Sequence, residues 1–450
     1  MLIQEPHLIN GVSYLRQLDT KSLYTIFLDS AGVTTDSRVN SPGRIFFALR
    51  GESFDGHDFV RQALSNGCAM AVIDKKEAAI PGRTILTGDV LLSLQKLACF
   101  HRQQFDIPVM AITGSNGKTT TKEMIRAVLS ARYKTLATSG NFNNHIGVPL
   151  TLLELDPSHQ IAVIEMGANH IGEIESLCNI AMPDHGLITN IGSAHLEGFG
   201  SPEGVVKAKS ELFRYLKKTG GKAFLNSMRP ELVGLSAEIR LDYIPFGTGS
   251  ENFVSGKLLN SREQLNIEVY TEKFDEPLYL FTGLTGSYNF ENVLAAVCTG
   301  VYFGVPSGRI KGAIENYIPD NNRSQITVTE NNKLLLDAYN ANPDSMHAAI
   351  VNFFSMPGEN KSVILGDMFE LGHYAPEEHS KIIKLLKKYG CREVILVGKI
   401  FYNSPGARDY LRFETTENLI DWLSANPLRN RFMLLKGSRA IQLEKCVAFL

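Results

Sequence analysis

Short apolar runs alternate with amphipathic stretches along most of this chain. Between about residues 106 and 316 the apolar runs include IAVIEMG from 161, GLITNIG from 186 and KAFLN from 222. Runs of this length, separated by helical patterns, are typical of a mainly parallel sheet covered by helices. Ligands of such sheets bind at the carboxyl ends of the strands.

The two ends of the chain show separate patterns. Residues 1 to about 105 contain short alternating segments and the polar passage TTDSRVNSPGRIFFALRGESFDGHDFV, which predicts a small α/β module with a loop-rich face. An antiparallel-looking run from about 252 to 281 precedes a third region, where strands alternate with helices near 376–389, 416–425 and 439–449. This third region indicates a Rossmann-like fold without a GxGxxG fingerprint. We therefore predict an α/β protein with three domains, at 1–105, 106–316 and 317–450.

The stretch PVMAITGSNGKTTTKEMIRAVLSA, residues 108–131, has the order of a phosphate-binding loop. A buried strand from 109 to 113 leads into Gly114 and Gly117, which let the backbone bend closely around an anion. The helix that begins near Lys118 would direct its free N–H groups and positive dipole end at the phosphates. This order of elements predicts a mononucleotide site.

Two further features of this loop bear on its chemistry. Lys118 would reach the terminal phosphates, and the Thr119 hydroxyl would hold Mg²⁺. An ordinary Walker A motif has one more glycine, where this chain has Ile112, so the loop is a shortened GxxGKT. The alternative, a glycine turn that merely ends a core strand, leaves the Lys-Thr pair without a role. The predicted nucleotide-binding residues are Gly114, Ser115, Asn116, Gly117, Lys118, Thr119 and Thr120.

A carboxylate and an imidazole follow neighbouring strands of the same predicted sheet. Glu165 ends its strand, and His195 follows another strand by five residues. Because both positions belong to the carboxyl edge, both side chains are expected to face the phosphate loop, where they would suit a nucleotide-bound Mg²⁺. The alternative for Glu165 is a capping or surface residue.

Lys209 lies at an unusual position in its predicted helix. Ser201 and Pro202 mark the start of this helix, and Lys209 falls on the same stripe as Val205 and Leu212, facing inward. Burial favours the neutral amine, which can react with CO₂ to give a carbamate that behaves as a carboxylate. The alternative is a lysine that extends its ammonium group to solvent.

Three polar groups carry weaker signals. Asn289 and Asn292 begin an apolar helix and suit the edge of an adenine ring, although capping is an equal explanation for Asn289. Ser37 offers a hydroxyl and Arg38 suits a pyrophosphate or carboxylate, although an Asp-Ser pair such as 36–37 more often forms a turn or a helix cap. Polar residues at strand ends in the third region suggest a second substrate site: Asp337, Asn340, Asn342 and 436–439.

Composition and charge exclude several classes of function. Lys plus Arg number 45 against 47 for Asp plus Glu, a net charge of −2, so no basic field indicates nucleic-acid binding. The six cysteines show no CxxC spacing, which favours reduced thiols and a cytoplasmic location. No signal peptide and no apolar stretch of about 18 residues is visible, so membrane binding is not expected. We expect a monomeric enzyme of small molecules.

Taken together, the motifs resemble those of the Mur ligases of peptidoglycan synthesis over nearly the full length of the chain. The matching strings include DSR with FFALRGESFDGHDF, TGSNGKTTTKEM, GNFNNHIGVPLTLL, IEMGANHIGEIESL, AHLEGFGSPEGVVKAKSELF, LTGSYNFENVLAA, LLLDAYNANPDSM, LGDMFELG and LLKGSRA. The resemblance implies an ATP- and Mg²⁺-dependent amide ligase. The carboxylate of UDP-N-acetylmuramoyl-tripeptide would form an acyl phosphate, which the amine of D-alanyl-D-alanine would then attack.

The resemblance also implies roles for individual residues. Lys118 would stabilise the transferring charge, Thr119 and Glu165 would hold one Mg²⁺, and His195 with carbamylated Lys209 would support a second. Asn289 and Asn292 would touch adenine, while the first domain would hold the uridine end through Ser37 and Arg38. Residues that face the sugar-peptide or close over the nucleotide would be Asn143, Asn144, Arg323, Asp337, Asn340 and Asn342.

Two departures from the family pattern and two rival functions stay open. Asn322 precedes Arg323 where relatives often carry glycine, and Ala338 follows Asp337 where relatives often carry a second acid. One rival function is a sibling ligase that adds another amino acid, including the folylpolyglutamate type. The other is a nucleotide-switched binding protein without turnover. Whether the third residue of the tripeptide is lysine or diaminopimelate does not follow from the chain.

Overall fold

The computed structural model of this protein describes residues 18–192, 196–319 and 323–450. Within these ranges the strands form a four-stranded, a nine-stranded and a six-stranded sheet. Contacts divide the chain into two compact units. The first comprises residues up to 107 with 138–159 and 176–182, and the second comprises 108–137, 160–175 and 183–450.

The four-stranded sheet belongs to the first unit and is entirely parallel, in the order β1-β2-β3-β4. Aspartates begin two of its helices, since Asp19 and Asp89 each accept a backbone N–H three residues further on. Phe46 and Ile73 lie in the apolar cluster beneath the second helix. The elements are α1 Thr20–Leu28, β1 Val33–Thr34, β2 Ile45–Phe47, α2 Val60–Ser65, β3 Met70–Ile73, β4 Thr84–Leu86 and α3 Val90–Arg102.

The nine-stranded sheet belongs to the second unit and runs in the order β13-β12-β11-β10-β9-β8-β5-β7-β6. The pairings β11–β12 and β12–β13 are antiparallel and the other pairings of this sheet are parallel, so the predicted mainly parallel sheet with an antiparallel run is confirmed. The elements between residues 109 and 315, of which α5 and the end of α6 belong to the first unit, are β5 Val109–Thr113, α4 Lys118–Ser130, β6 Thr135–Ala137, α5 Gly147–Leu152, β7 Ile161–Glu165, α6 Glu173–Ala181, β8 His185–Ile188, α7 Leu196–Phe199, α8 Pro202–Thr219, β9 Lys222–Asn226, α9 Pro230–Ile239, β10 Tyr243–Gly247, β11 Val254–Asn260, β12 Asn266–Tyr270, β13 Leu278–Phe281, α10 Asn289–Tyr302 and α11 Ser307–Glu315.

Strand β5 lies inside this sheet, third from its β6 edge, with β7 on one side and β8 on the other. All five of its residues are buried, because helices cover both faces of a parallel sheet. Helix α10 packs closely on α4, since a Cβ on Gly300 would lie 2.4 Å from a methyl carbon of Val128. Nearer the first turn of α4, the Thr121 hydroxyl donates to the Asn292 side-chain oxygen of α10 at 3.0 Å.

The six-stranded sheet has the order β14-β15-β19-β16-β17-β18, in which only β14 is antiparallel. Its elements are β14 Gln325–Val328, β15 Lys333–Asp337, α12 Pro343–Ser355, β16 Lys361–Gly366, α13 Ala375–Lys388, β17 Val394–Val397, α14 Lys399–Asn403, β18 Leu411–Phe413, α15 Thr416–Ala425 and β19 Phe432–Lys436. The Rossmann-like alternation predicted for this region is confirmed.

The last predicted helix, at 439–449, is wrong as a single α-helix. The structure has two 3₁₀ segments, Arg439–Ile441 and Leu443–Phe449. Gln442 between them has a left-handed backbone with φ of 58°, which interrupts any continuous helix. The predicted domain boundaries near 105 and 316 stay a prediction. Among the described residues, no helix is both long and apolar enough to cross a membrane.

Candidate active site

The predicted phosphate loop joins β5 to α4. Gly114 has φ of 140°, and a Cβ at this position would lie 2.0 Å from the Thr189 hydroxyl oxygen. Gly117 has φ of 79° and precedes the first residue of the helix. Both glycines are therefore required by the backbone, as the sequence predicts.

A segment after β8 supports this loop from one side. Ser115 donates its backbone N–H to the Asn190 carbonyl oxygen at 3.0 Å, and its hydroxyl accepts the Gly192 N–H at 2.9 Å. The Asn116 carbonyl oxygen accepts the Thr189 hydroxyl at 2.6 Å and the Asn190 amide at 3.0 Å. Thr189 and Asn190 were not singled out from the sequence, where the only signal is a polar pair at the end of a predicted strand.

The Lys118 ammonium group lies over the loop itself. It donates to the Gly114 carbonyl oxygen at 2.6 Å and to the Ser115 carbonyl oxygen at 3.2 Å. Burial lowers the pKa of Lys118 to about 8; the charge of Glu165 opposes this shift and that of Arg323 adds to it. Among the described residues no side chain caps the first turn of α4, so the backbone N–H groups of this turn are available to bind an anion. Thr120, in the same turn, is half-buried.

Thr119 and Glu165 meet at the carboxyl edge of the sheet. The Thr119 hydroxyl donates to one carboxylate oxygen of Glu165 at 3.1 Å, and both side chains are buried. They meet because Glu165 ends β7, which pairs directly with β5. A hydroxyl and a carboxylate are oxygen donors of the kind that Mg²⁺ prefers, so this pair fits a magnesium ion.

The structure describes the remaining predicted metal ligands only in part. His195 lies outside the described residues, so its place relative to Glu165 stays a prediction. The described residues contain no group of three or more histidine, cysteine, aspartate or glutamate side chains placed to hold a metal ion. The second magnesium site predicted at His195 and a modified Lys209 stays a prediction.

Lys209 on α8 is buried to the end of its side chain, with 1 % of its surface exposed. Within the described chain its Nζ has no hydrogen-bond partner and lies 5.3 Å from the centre of the Phe199 ring. Burial, reinforced by the charge of Lys118, lowers its pKa to about 7. Lys207 on the same helix is exposed, as predicted. The Lys209 ammonium does not extend to solvent.

Asn289 and Asn292 form a connected pair at the start of α10. The Asn292 amide donates to the Asn289 side-chain oxygen at 2.9 Å, and the Asn289 amide donates to the Thr285 carbonyl oxygen at 2.8 Å. The Asn292 oxygen accepts the Thr121 hydroxyl at 3.0 Å. Asn289 is the first residue of the helix and does not cap it. The adenine contact of Asn289 and Asn292 stays a prediction.

A second cluster of polar residues lies at the carboxyl edge of the six-stranded sheet. Lys436 on β19 donates to the Asp337 carboxylate at 2.6 Å and to the Asn340 carbonyl oxygen at 3.1 Å. The strands β15 and β19 align Asp337 directly with Lys436. Asp337 also accepts the Ser324 backbone N–H at 3.1 Å. This ion pair orders the loop that follows β15.

Two residues connect this edge to the phosphate loop. The Asn342 amide donates to the Asn116 side-chain oxygen at 2.8 Å. The Arg323 guanidinium lies 3.7 Å from the centre of the Tyr339 ring, and its charge acts on Lys118. The structure therefore brings Asn342, Arg323 and the phosphate loop together.

The candidate residues of the first unit occupy turns. Arg38 pairs with the Asp36 carboxylate at 2.7 Å, which holds the Asp36 pKa at about 2. Ser37 is buried, and its hydroxyl lies 3.4 Å from the Gln62 side-chain oxygen. Asn144 accepts two backbone N–H groups at the start of α5, and its neighbour, residue 143, is half-buried. The substrate contacts of these residues stay a prediction.

The fold and the second unit's site define a class of nucleotide-binding α/β proteins whose phosphate loop contacts a second, Rossmann-like sheet. Family models identify the class more closely: the Mur ligase family catalytic domain matches residues 30–92, the Mur ligase middle domain 112–300, and the Mur ligase glutamate ligase domain 322–439. This chain belongs to the Mur ligase family, as its motifs indicated.

Relatives found by sequence and by structure agree with this assignment. UDP-N-acetylmuramoyl-tripeptide–D-alanyl-D-alanine ligase of Bacillus subtilis is 35% identical over 92% of each chain. A crystal structure of MurF from Acinetobacter baumannii superposes with a TM-score of 0.83 at 30% identity, covering 96% of this chain and 98% of the other. MurF of Thermotoga maritima in complex with ADP gives a TM-score of 0.79 at 27% identity, covering 94% and 97%. The predicted α/β fold class is confirmed.

Substitution of Gly114 by alanine tests the phosphate loop. We expect Gly114→Ala to lose nucleotide binding and about 1–3 kcal/mol of stability, because the new Cβ clashes with Thr189 at a backbone angle that alanine rarely adopts. Calorimetric titration with a non-hydrolysable ATP analogue and urea unfolding measure both effects. Gly312→Ala in α11 is the control, since its Cβ meets open space, and should add about 0.5–1 kcal/mol of stability. Wild-type nucleotide affinity in Gly114→Ala would contradict the assignment.

The buried amine of Lys209 predicts a pH-dependent stability difference. Its pKa is about 7 in the folded protein and 10.5 when unfolded, so between these values the unfolded state binds the extra proton and the wild type gains stability as pH rises. Lys209→Met should therefore be more stable than wild type by up to a few kcal/mol at pH 7, with the difference shrinking towards pH 10.

Urea unfolding between pH 6.5 and 10, in buffer depleted of CO₂, measures this difference in free energy. Lys207→Met on the exposed face of the same helix is the matched control and should show no such trend. A difference for Lys209→Met that does not change with pH would show that the folded protein holds this amine charged.

Proposed function

We propose that this chain joins D-alanyl-D-alanine to UDP-N-acetylmuramoyl-tripeptide at the expense of ATP, in the synthesis of a peptidoglycan precursor. The name shared by relatives such as the Bacillus subtilis enzyme supports this substrate pair. The observation that carries the proposal is the hydrogen bond of 2.8 Å between Asn116 of the phosphate loop and Asn342 of the six-stranded sheet. This bond supports the proposal because it joins the phosphate loop to the polar edge of the six-stranded sheet, and a ligase must bring two substrates together.

The reaction divides into two steps. The terminal carboxylate of the tripeptide attacks the γ-phosphorus of ATP, and ADP leaves with the bridging oxygen. The amine of the dipeptide then attacks the carbonyl carbon of the acyl phosphate, inorganic phosphate leaves, and the amine loses its proton. The phosphate-loop N–H groups and Lys118 neutralise charge on the transferring group, which is the main task of the protein in phosphoryl transfer.

The oxygen donors described above define where magnesium would bind. Thr119 and Glu165 would hold one Mg²⁺, and His195 with a carbamate on Lys209 would hold a second. When bound, the ions would neutralise phosphate charge and orient the triphosphate. Lys209 supports this role because its neutral amine is available to CO₂ near pH 7.

The other predicted residues complete the proposal. Asn289 and Asn292 contact the adenine ring, while Ser37 and Arg38 hold the uridine end of the sugar nucleotide. Arg323, Asp337 and Asn340 close over the nucleotide and exclude water from the acyl phosphate. The sugar-peptide faces Asn143 and Asn144, and the three domains span 1–105, 106–316 and 317–450. The enzyme acts as a cytoplasmic monomer and serves cell shape and division.

A phosphate-release assay in which each substrate is omitted in turn tests this function. We expect release at a substantial rate only when ATP, Mg²⁺, UDP-N-acetylmuramoyl-tripeptide and D-alanyl-D-alanine are all present, because the acyl phosphate is protected until the amine arrives. ATP binding without turnover would instead identify a nucleotide-switched binding protein. Faster turnover with glutamate or diaminopimelate as acceptor would identify a sibling ligase.

Removal of the Lys209 amine tests the proposed carbamate. Lys209→Ala should lose most activity, and short carboxylates such as acetate should restore part of it, because they replace the negative oxygens of the carbamate. The initial rate with and without added carboxylate is the measurement. Lys207→Ala, on the exposed face of α8, should keep full activity without any effect of acetate. Full activity in Lys209→Ala would remove this residue from the mechanism.

A further inference from the structure

The hydroxyl group of Tyr288 joins the start of α10 to the chain just before β14. Tyr288 directly precedes α10, and its hydroxyl oxygen lies 2.7 Å from the hydroxyl oxygen of Ser324. Ser324 in turn directly precedes β14. This hydrogen bond therefore connects the part of the chain that forms the nine-stranded sheet to the part that forms the six-stranded sheet.

The ring of Tyr288 lies close to the six-stranded sheet's part of the chain as well. A Cβ built on Gly286 would lie 2.5 Å from a ring carbon of Tyr288 and 3.1 Å from the side-chain carbonyl carbon of Asn352, a buried residue of α12. Gly286 has φ of 86°, in the left-handed region that favours glycine. Glycine at this turn therefore leaves room for both the Tyr288 ring and α12.

Ser324 is held in a backbone conformation that serine rarely adopts. Its φ is 52°, in the left-handed region, and 9 % of its surface is exposed. Two contacts hold it there: the hydrogen bond with Tyr288, and the bond from its backbone N–H to a carboxylate oxygen of Asp337 at 3.1 Å. Such conformations persist where the surroundings fix them, and they are concentrated at functional sites.

The two hydroxyl groups lie next to residues of the proposed nucleotide site. Asn289 directly follows Tyr288, and Arg323 directly precedes Ser324. The Arg323 guanidinium lies 3.7 Å from the centre of the Tyr339 ring, and its Nε has no hydrogen-bond partner among the described residues. Because the backbone at Ser324 sets the direction of the residue before it, a change at Ser324 would turn Arg323 away from this position.

Another connection between the same two parts of the chain lies at the phosphate loop, where Asn342 donates to Asn116 at 2.8 Å. The phosphate-loop helix and α10 are themselves joined, since the Thr121 hydroxyl donates to the Asn292 side-chain oxygen at 3.0 Å. One connection therefore lies at the phosphate end of the proposed nucleotide site. The connection through Tyr288 lies at the other end, where the start of α10 is expected to meet the base.

We propose that Tyr288 is a positioning residue for the nucleotide base, an assignment that rests on the proposed function for the place of the adenine ring. The Tyr288 hydroxyl holds Ser324, and Ser324 holds Arg323 beside the base end of the site. This role requires no contact between Tyr288 and the nucleotide. The hydroxyl therefore contributes to the affinity for the base end of ATP and not to the affinity for its phosphates.

Tyr288→Phe tests this role, because it removes the hydroxyl group and keeps the ring. We expect it to weaken binding of a non-hydrolysable ATP analogue about three- to tenfold, the effect of one hydrogen bond. Binding of inorganic tripolyphosphate with Mg²⁺ should stay within about twofold of the wild type, because the phosphate loop is unchanged. Calorimetric titration measures the first affinity, and competition against the analogue measures the second. Equal losses for both ligands, or no loss for the analogue, would overturn the proposal.

Tyr302→Phe is the matched control, at the last residue of the same helix. The Tyr302 hydroxyl lies 3.3 Å from the His185 Nε2, so this variant also loses a tyrosine hydrogen bond of α10. We expect it to bind both ligands as the wild type does, whatever happens to its melting temperature. An equal loss of analogue affinity in Tyr302→Phe would show that the stability of α10 carries the effect, and would overturn the role of Tyr288.

A double-mutant cycle tests whether the Tyr288 hydroxyl acts through Ser324. Ser324→Ala lacks the serine hydroxyl, so the double variant should bind the ATP analogue no more weakly than the weaker single variant, because both changes remove the same hydrogen bond. Additive losses would overturn the assignment.

Ser324→Gly separates positioning from stability. Glycine adopts a φ of 52° without strain, so this variant should melt at a higher temperature than Ser324→Ala. It should nevertheless bind the ATP analogue at least as weakly, because it also lacks the hydroxyl. Wild-type affinity in Ser324→Gly would show that the hydrogen bond is not needed.

Product formation separates this proposal from the proposed function. If the wild type binds the ATP analogue but does not join D-alanyl-D-alanine to the UDP-tripeptide, the proposed function fails, and the titrations still decide the role of Tyr288. If the wild type forms the product, Tyr288→Phe should raise KM for ATP by the factor found in the titration and leave KM for D-alanyl-D-alanine within about twofold. An unchanged KM for ATP would then overturn only the role of Tyr288.

Discussion

The carboxyl ends of three parallel strands are joined by hydrogen bonds that continue the ladder into the loops. Met166 donates its N–H to the Ile112 carbonyl oxygen at 2.8 Å, and Thr189 donates to the Thr113 carbonyl oxygen at 3.0 Å. The Thr113 hydroxyl donates to the Met166 carbonyl oxygen at 2.8 Å. Each strand therefore ends at the same level of the sheet. The phosphate loop, Glu165 and the segment at 189–192 come together because of this constraint.

The charges gathered at this edge are mainly positive and partly buried. Burial lowers the pKa of both Lys118 and Lys209; the charge of Lys118 adds to the shift of Lys209, and the charge of Arg323 adds to the shift of Lys118. Burying like charges together is unfavourable unless an anion balances them. A triphosphate would supply that balance. Its binding would be favoured because it would offset the repulsion between these positive charges. The same argument explains why a carboxylate at Glu165 is tolerated at the base of the site.

The alternation of strands and helices was predictable from the sequence because it depends on local periodicity. The glycines at 114 and 117 and the inward face of α8 were predictable for the same reason. The support from Thr189 and Asn190 was not, since these residues bond to partners more than 70 positions away and their local sequence resembles any polar turn.

A left-handed residue was the other source of error. Gln442 interrupts the last predicted helix, although glutamine does not favour positive φ. Only tertiary contacts hold such a conformation, so propensity alone predicts a continuous helix at this position. The adenine contact of Asn289 and Asn292 stays a prediction, and the fold gives their side chains hydrogen-bond partners in Thr121 and Thr285. Any adenine contact must use the capacity that remains.

Asn342 shows why the two sheets of the second unit depend on each other. Its side-chain oxygen accepts the Ser345 N–H at 2.9 Å and caps α12, while its amide donates to Asn116 at 2.8 Å. An aspartate would cap the helix equally well but has no donor for Asn116, and a serine is too short to serve both partners. The helix start thus aims the donor at the phosphate loop. The position of the phosphate loop therefore depends on the six-stranded sheet. A ligase needs such a connection, because it must bring two substrates to one phosphate.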